Sequence, residues 1–247
     1  SLSHPCIAAL LDTGTMADGR PFLAMEYVQG ERIDQWCASR KLSLEARIRL
    51  FLKVCAAVQY AHRHLVIHRD LKPANILVTA EGDPKLLDFG IARLLGGDAR
   101  RLYTQTSNQA LTLAYASPEQ IRNEPLGTAS DVWQLGVVLY ELVCDRRPFP
   151  QGDSPLGLSN AILAGRVPPP SRVGRMDAGL WMSRPLPADI DAIVLKALRP
   201  LPADRYAGVA ELADDLRRCL DLRPVLARRG ERWYRARCFV ARRRAAL

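Results

Sequence analysis

The sequence lacks the features that mark secreted, zinc-stapled and membrane-spanning proteins. Its six cysteines form no Cys-x-x-Cys pair and no Cys/His cluster at zinc spacing. At 247 residues a disulfide framework is not needed for a stable core, so buried reduced thiols are expected. There is no signal peptide, and the longest mostly apolar run, Val132 to Val143, is too short to span a bilayer. These absences predict a cytoplasmic protein.

Excess charge is also absent from most of the chain. The formal net charge is +9, from 35 basic and 26 acidic residues. Nine arginines and one glutamate of these totals lie in residues 223–247, which leaves 26 basic and 25 acidic residues in 1–222. A nucleic-acid-binding function would rest on that short tail alone, so nucleic acid is not an expected partner.

The order of predicted elements is a small β region followed by a helical body. Strands at Ile7–Leu11 and Pro21–Val28 flank the turn residues 17–19 and predict a hairpin. Ser43 is a candidate N-cap for a long helix through His64, and the apolar segment Thr128–Cys144 predicts a central buried helix. Further short strands are expected at Leu65–Ile67, Ile76–Val78 and Lys85–Leu87, and further helices near Ser117–Glu119, Leu158–Ala164, Ala188–Leu198 and Ala207–Leu220.

Two motifs in the middle of the chain carry the chemistry. Residues 68–75 read His-Arg-Asp-Leu-Lys-Pro-Ala-Asn, and residues 88–90 read Asp-Phe-Gly after a second apolar run. Either motif alone could be only a turn, but their joint occurrence, each after a short apolar run, favours phosphoryl transfer. That reaction needs positioning and charge neutralisation rather than covalent catalysis.

Each polar residue of these motifs suits one part of such a site. Asp70 would accept or orient the proton of an incoming hydroxyl. Asn75 and Asp88 offer the oxygen ligands that Mg²⁺ prefers. Lys72 would set a positive charge against the transferring group.

With these motifs the chain resembles the eukaryotic-type serine/threonine protein kinases, close to the bacterial members of that family. The resemblance runs from about His4-Pro5 to Leu220 and implies an α+β, protein-kinase-like fold, mainly the helical C-lobe. It divides the chain into a remnant N-lobe hairpin (1–28), a C-lobe that includes the hinge (29–221) and a basic tail (222–247). It implies transfer of the γ-phosphate of ATP, with Mg²⁺, to serine or threonine hydroxyls of protein substrates.

The resemblance also assigns residues outside the two motifs. The segment Met25-Glu26-Tyr27-Val28 resembles the gatekeeper and hinge, where backbone groups of Glu26 and Val28 would bind adenine, and Leu77 would pack beneath that ring. Thr112 matches the threonine that bonds the catalytic Asp and Lys. The implied catalytic residues are thus Asp70, Lys72, Asn75 and Thr112, the nucleotide-binding residues Met25, Glu26, Val28, Leu77 and Asp88, and the metal ligands Asn75 and Asp88.

Other matching positions are structural. Glu119 is expected to pair with Arg205, and Asp131 is expected to anchor the backbone of the catalytic loop. His68 is expected to be a packed core residue, whereas the helix-end residues His62 and His64 are expected at the surface. No histidine is assigned to a metal.

Residues 1–247 contain no glycine-rich phosphate loop, no strand lysine before the hinge and no helix glutamate to pair with it. Lys41 and Lys53 lie on the wrong side of the hinge to substitute. The expectation is a truncated kinase, weak or inactive as it stands. The alternative is a pseudokinase-like binding module without catalysis. A small-molecule phosphotransferase is a third reading, but Lys72 and the Ser117-Pro118-Glu119 segment favour a protein substrate.

Two further regions suggest regulation and location. Arg69, directly before Asp70, could pair with a phosphate on the loop residues Thr104, Thr106 or Ser107, or instead with a carboxylate in a constitutively ordered loop. The tail from Arg223 to Arg244 interleaves arginines with aromatic residues, a pattern that binds anionic lipid or forms a solvated linker. Lipid binding would hold the protein at the cytoplasmic face of a membrane.

Overall fold

The computed structural model describes residues 2–88, 113–149, 154–173 and 188–228. Strands β1 (Leu10–Thr15) and β2 (Pro21–Met25) pair antiparallel, with Thr13 opposite Leu23. The predicted hairpin is confirmed, although β1 begins three residues later than expected. Ile7 instead forms an isolated bridge with Leu86 and is buried, so it belongs to the core beside the second sheet.

The second sheet has the order β3–β4–β5 and is antiparallel throughout. Its strands are β3 (Glu31–Arg32), β4 (Ile76–Val78) and β5 (Pro84–Leu86). Gly30 precedes β3 where the backbone passes β4 closely, because a Cβ there would lie 2.8 Å from the Val78 carbonyl oxygen. Only glycine fits this approach without displacing β4.

The expected strand at Leu65–Ile67 is wrong. The N–H groups of Leu65 and Val66 donate to the carbonyls of His62 and Ala61, 3.0 Å each, so the end of the preceding helix uses them and no strand partner does. Leu65 has a φ of +59° and is largely exposed, which turns the chain sharply toward residue 68.

The helices build the body of the molecule. The long helix α2 begins after Ser43, whose hydroxyl accepts a hydrogen bond from the Ala46 N–H, 3.3 Å, as an N-cap. The described helices are α1 (Ile33–Ser39), α2 (Leu44–Arg63), α3 (Pro118–Ile121), α4 (Thr128–Cys144), α5 (Pro155–Ala164), α6 (Pro170–Val173), α7 (Ala188–Ala197) and α8 (Val209–Leu220). Short 3₁₀ turns occur at Pro73–Asn75, Pro202–Asp204 and Leu226–Arg228.

Helix α4 is the centre of the core, as its apolar sequence predicts. Trp133 and Tyr140 are fully buried on it, and helices α2, α7 and α8 all pack against it. Helix α8 also packs along α2. The segment between α2 and β4, which holds residues 68–75, therefore rests on a rigid helical base.

The five described cysteines are free thiols, as expected, although only Cys37 and Cys55 are fully buried and Cys238 lies outside the described residues. Burial raises the pKa of the Cys37 thiol to about 11, so it stays protonated at neutral pH. In the part of the chain that the structure describes, no helix is both long and apolar enough to cross a membrane.

Candidate active site

The loop of residues 68–75 is held from below by the first turns of α4. The Asp131 carboxylate, fully buried, accepts hydrogen bonds from the main-chain N–H groups of His68 (2.9 Å) and Arg69 (2.8 Å). The Gln134 side chain accepts from the Leu71 N–H and donates to the Arg69 carbonyl, 2.8 Å each. The expectation that Asp131 anchors this backbone is confirmed.

The histidines around this anchor divide into buried and exposed groups. His62 lies 2.7 Å from the Asp131 carboxylate through Nε2 and its side chain is only 10% exposed. The expectation of a surface position is therefore wrong for His62, because the last turn of α2 faces α4, and right for His64, which is exposed. This His62–Asp131 contact was missed, since helical spacing alone does not tell which face of the last turn meets a neighbour.

His68 is packed, as expected. Its Nε2 lies 2.9 Å from the Leu87 carbonyl, an acceptor, so this nitrogen carries the proton, and Nδ1 lies 3.4 Å from the Asp70 N–H. Burial lowers the pKa of His68, which favours the neutral ring that satisfies both contacts. The residue therefore orients the loop and is not an acid–base group.

Arg69 has a left-handed backbone, with φ +70°. Its carbonyl accepts hydrogen bonds from both Gln120 and Gln134, 2.8 Å each, and these neighbours hold a conformation that costs free energy for a residue other than glycine. Its guanidinium Nε is buried without a hydrogen-bond partner among the described residues, and no carboxylate there pairs with it. The three candidate phosphate acceptors of the loop lie outside the described residues.

Asp70, Lys72 and Asn75 converge on one point. The Lys72 ammonium lies 2.8 Å from Asp70 Oδ2, and the Asn75 amide nitrogen donates to that same oxygen (3.0 Å) and to the Asp70 carbonyl (2.8 Å). Proline at the start of the 3₁₀ turn Pro73–Asn75 fixes φ and helps place Asn75 back over Asp70. The Asp70 side chain is still 44% exposed, which leaves it open to an incoming group.

Asp88 joins this group through the pairing of β4 with β5. Ile76 lies opposite Leu86, and the Leu87 N–H donates to the Asn75 carbonyl, 2.9 Å, so Asn75 and Asp88 flank the same end of the two strands. Asp88 has a φ of +61°, a second left-handed residue at this site. Burial and then the nearby Asp70 carboxylate raise the pKa of Asp88.

These residues fit a hard divalent cation. None of the hydrogen bonds among the described residues uses the Asn75 amide oxygen, and Asp88 is a partly desolvated carboxylate whose pKa would fall beside a cation. The described residues contain no group of three or more His, Cys, Asp or Glu that could hold an ion alone. Asn75 and Asp88 therefore suit an ion that takes its other ligands from phosphate oxygens and water.

The predicted hinge crosses above β4. The Glu26 N–H donates to the Ala9 carbonyl, 2.8 Å, whereas the Glu26 carbonyl and both main-chain groups of Val28 take part in no hydrogen bond among the described residues. Leu77, in β4, lies below the passage at Gly30, where a Cβ would come within 3.2 Å of the Leu77 Cβ. Met25 ends β2 opposite Leu10.

An ion pair at the hinge was missed by sequence reasoning. The Glu26 carboxylate lies 2.8 and 3.1 Å from the Lys85 ammonium and also accepts from the Ala9 N–H, 3.1 Å. These bonds lower the pKa of Glu26. The only sequence signal was one charged residue, Lys85, inside a short apolar strand, and this does not name its partner.

The expected pair of Glu119 and Arg205 is confirmed. Two parallel hydrogen bonds of 2.8 Å join them, and their side chains are 4% and 0% exposed. Arg205 also donates to the carbonyls of Ala129, Arg199 and Pro200, so the pair ties the start of α3 to the segment after α7. Thr112, Phe89 and Gly90 lie outside the described residues.

Comparison with known proteins agrees with this geometry. The protein kinase domain family matches residues 1–200, and the chain therefore belongs to the protein kinase family, with the mixed helix-and-sheet fold expected for it. Its relatives place it among the bacterial-type serine/threonine kinases. It is 38% identical over 229 residues to a probable serine/threonine-protein kinase of Streptomyces coelicolor, covering 91% of this chain and 32% of that protein.

Other relatives give the same result. The chain is 38% identical over 221 residues to serine/threonine-protein kinase PknB of Mycobacterium tuberculosis, covering 87% of this chain and 33% of PknB. It is 40% identical over 222 residues to a probable serine/threonine-protein kinase of Corynebacterium efficiens, covering 87% and 32% of the two chains. The chain spans about a third of the length of these relatives.

Proposed function

We propose that this chain carries the acceptor and metal side of a serine/threonine protein kinase that transfers the γ-phosphate of ATP to protein hydroxyls. One observation supports this most strongly. Asp70, Lys72 and Asn75 converge within 3.0 Å on a loop whose backbone the buried Asp131 holds in place, and Asp88 flanks the same strand ends. A site fixed so firmly is suited to positioning, which is the main demand of phosphoryl transfer.

Each side chain then has a distinct part. Asp70 would orient the acceptor hydroxyl and take its proton, because its carboxylate is exposed on one side and held by Asn75 on the other. Lys72, now paired with Asp70, would meet the transferring group as well and stabilise the negative charge there. Thr112 is proposed to bond Asp70 and Lys72, by the family resemblance alone.

Asn75 and Asp88 are proposed to hold Mg²⁺, with the Asn75 amide oxygen and the Asp88 carboxylate as ligands. Bound Mg²⁺ would neutralise charge on the phosphates of ATP. The free main-chain groups of Glu26 and Val28 would bind adenine, with Met25 beside it and Leu77 beneath it. The 247 residues contain no glycine-rich loop and no strand lysine, so we expect weak ATP binding and little transfer by this chain alone.

The test uses residues 1–247 fused behind a segment that supplies the glycine-rich loop, the strand lysine and the helix glutamate. Transfer of phosphate to a protein substrate is measured for the fusion and for D70N and D88N variants. We expect each variant to lose at least about 10²-fold in kcat. The matched control is D83N, because Asp83 is an exposed carboxylate that pairs only with Lys53 at the surface. Normal rates in D70N or D88N would remove the role assigned to that residue.

The second candidate function, a binding module without catalysis, makes the opposite prediction for the same fusion. It would show no transfer above background, and D70N would change nothing. The ordered Asp70, Lys72 and Asn75 cluster favours the enzyme, because a pure binding module has no need to hold three polar side chains against one another at an exposed site.

We further propose that the basic tail, residues 223–244, binds anionic lipid and holds the protein at the cytoplasmic face of a membrane. Each arginine near such a surface contributes about 1 kcal/mol, and the attraction falls with salt. Sedimentation with vesicles should require phosphatidylserine and weaken between low and physiological salt. Replacing Arg242, Arg243 and Arg244 by glutamine should weaken it further. Sedimentation that is independent of phosphatidylserine would indicate a solvated linker instead.

A further inference from the structure

The segment that follows α8 is built into the lobe. Helix α8 ends at Leu220, and Leu222 takes a left-handed φ of +54° that turns the chain back on itself. The Arg223 N–H donates to the Arg218 carbonyl, 2.8 Å, and fixes this turn. Val225 is then 2% exposed, and the 3₁₀ turn Leu226–Arg228 packs against α7. We call residues 222–228 the strap.

A buried carboxylate on α8 holds the strap. Asp215 is fully buried, and its Oδ1 accepts from the Leu226 N–H at 2.6 Å. Its Oδ2 accepts from the Ala227 N–H at 2.8 Å and from the Tyr206 hydroxyl at 3.0 Å. Hydrogen bonds to a charged acceptor are about twice as strong as neutral ones. If the strap left, Asp215 would lose two of these three donors inside the core, which opposes release.

The far end of the strap is fixed to a different helix. The Arg228 guanidinium lies 3.0 Å from the Asp189 carboxylate in the first turn of α7, and both side chains are about four-fifths buried, at 20% and 19% exposure. The strap thus joins α8, through Asp215, to α7, through Asp189. Between these two attachments the buried Val225 fills the core boundary.

The residues after the strap carry most of the excess charge of the protein. Residues 229–247 contain seven arginines and one glutamate. We propose that the strap is a docking device that fixes the root of this basic tail on the α7–α8 surface, with Asp215 as its anchor. Any partner of the tail is then held at one defined side of the lobe. This inference uses neither catalysis nor lipid binding.

Amide hydrogen exchange of the intact chain tests the proposal. In the wild type, the Leu226 and Ala227 amides should exchange far more slowly than amides of an unstructured peptide. D215N and V225S should each speed their exchange at least about tenfold while amides of α4 keep their protection. Val225→Ser is included because it opens the strap without removing the Asp215–Tyr206 bond, so it decides the matter if D215N loosens α8 as well.

The matched control is D214N. Asp214 is the neighbouring carboxylate on α8, it is 48% exposed, and its partner Arg218 lies on the same helix. It removes the same charge without touching the strap, so exchange in residues 225–228 should stay as in the wild type. Wild-type strap amides that exchange as in a free peptide, or strap protection that survives both D215N and V225S, would overturn the proposal.

Discussion

Single side chains hold the backbone of the candidate active site. Asp131 and Gln134, one turn apart on α4, accept or donate all the main-chain hydrogen bonds that fix residues 68–71 from below. Arg69 is left-handed at this point, and Asp88 is left-handed at the other end of the site. Such backbones persist only when their surroundings fix them, so the anchors and the strain belong together.

Replacing Asp131 by alanine should strongly destabilise the fold. The change leaves the His68 and Arg69 N–H groups and the His62 ring without their acceptor in the core, at roughly 1–3 kcal/mol for each buried unsatisfied group. We expect a loss of roughly 3–5 kcal/mol in the free energy of unfolding, measured by urea denaturation.

Two variants frame this result. Asp131→Asn keeps one acceptor oxygen of the right shape and should cost less than alanine. Asp204→Ala removes an exposed carboxylate and should change the free energy of unfolding by less than about 0.5 kcal/mol. If D131A cost no more than D204A, the anchoring role would be wrong.

At the scale of elements, the buried Glu119–Arg205 pair joins α3 to the segment after α7. Burial alone would push the pKa of Glu119 upward, but hydrogen bonds from Arg205 and Ser130 outweigh it and hold the pKa below the ordinary value of 4.5. A carboxyl whose pKa is lowered by folding stabilises the fold above its ordinary pKa. That stabilisation is lost as the pH falls through the lower, folded value.

Glu119→Gln should therefore have a pH-dependent cost. Near pH 7 it leaves the Arg205 charge buried without its partner, and the free energy of unfolding should fall by roughly 3–5 kcal/mol. Below pH 4.5 the wild type loses the same carboxylate charge, so the two unfolding free energies should converge. Denaturation curves at pH 7, 5 and 4 test this.

The exposed pair of Arg218 and Asp214, at 35% and 48% exposure, provides the comparison. Asp214→Asn should cost less than about 1 kcal/mol at any of these pH values. A difference between wild type and Glu119→Gln that stays constant from pH 7 to pH 4 would show that the charge of Glu119 is not the cause.

Elements whose own sequence specifies them were predictable. The N-cap Ser43, the period of α2 and the apolar α4 are local signals, and each gave the observed helix to within a residue. The hairpin was predictable as a pair of strands, but its first strand was placed too early. Apolar character does not tell whether Ile7 meets β2 or the bridge partner Leu86, because that depends on packing far along the chain.

The candidate site was predictable where the family motifs supplied long-range information. The anchor Asp131 and the pair of Glu119 with Arg205 came from resemblance, and no local pattern links residues so distant in sequence. Contacts outside the motifs, such as His62 with Asp131 and Glu26 with Lys85, were missed for the same reason. The strap anchored by Asp215 was missed too, because its carboxylate looks like any other on a charged helix.

At the scale of the whole molecule, the folded lobe and nucleotide binding should separate. The core around α4 and the anchored loop depend on no residue outside the described chain, whereas 1–247 offers ATP no glycine-rich loop and no strand lysine. A ligand stabilises a protein in proportion to the logarithm of its saturation. At a concentration near its Kd the gain is about 0.4 kcal/mol, and at 100 times its Kd about 2.7 kcal/mol.

Thermal unfolding with and without Mg-ATP measures this separation. Residues 1–247 alone should unfold cooperatively, with a Tm that Mg-ATP raises by no more than about 1–2 °C. The fusion that supplies the missing N-lobe parts should gain roughly 5–10 °C at the same nucleotide concentration. In that fusion D88N should abolish the part of the shift that requires Mg²⁺, whereas D83N should preserve it. A full shift in residues 1–247 alone would mean that the hinge, Leu77 and Asp88 suffice to bind the nucleotide, and the proposed dependence on the N-lobe would be wrong.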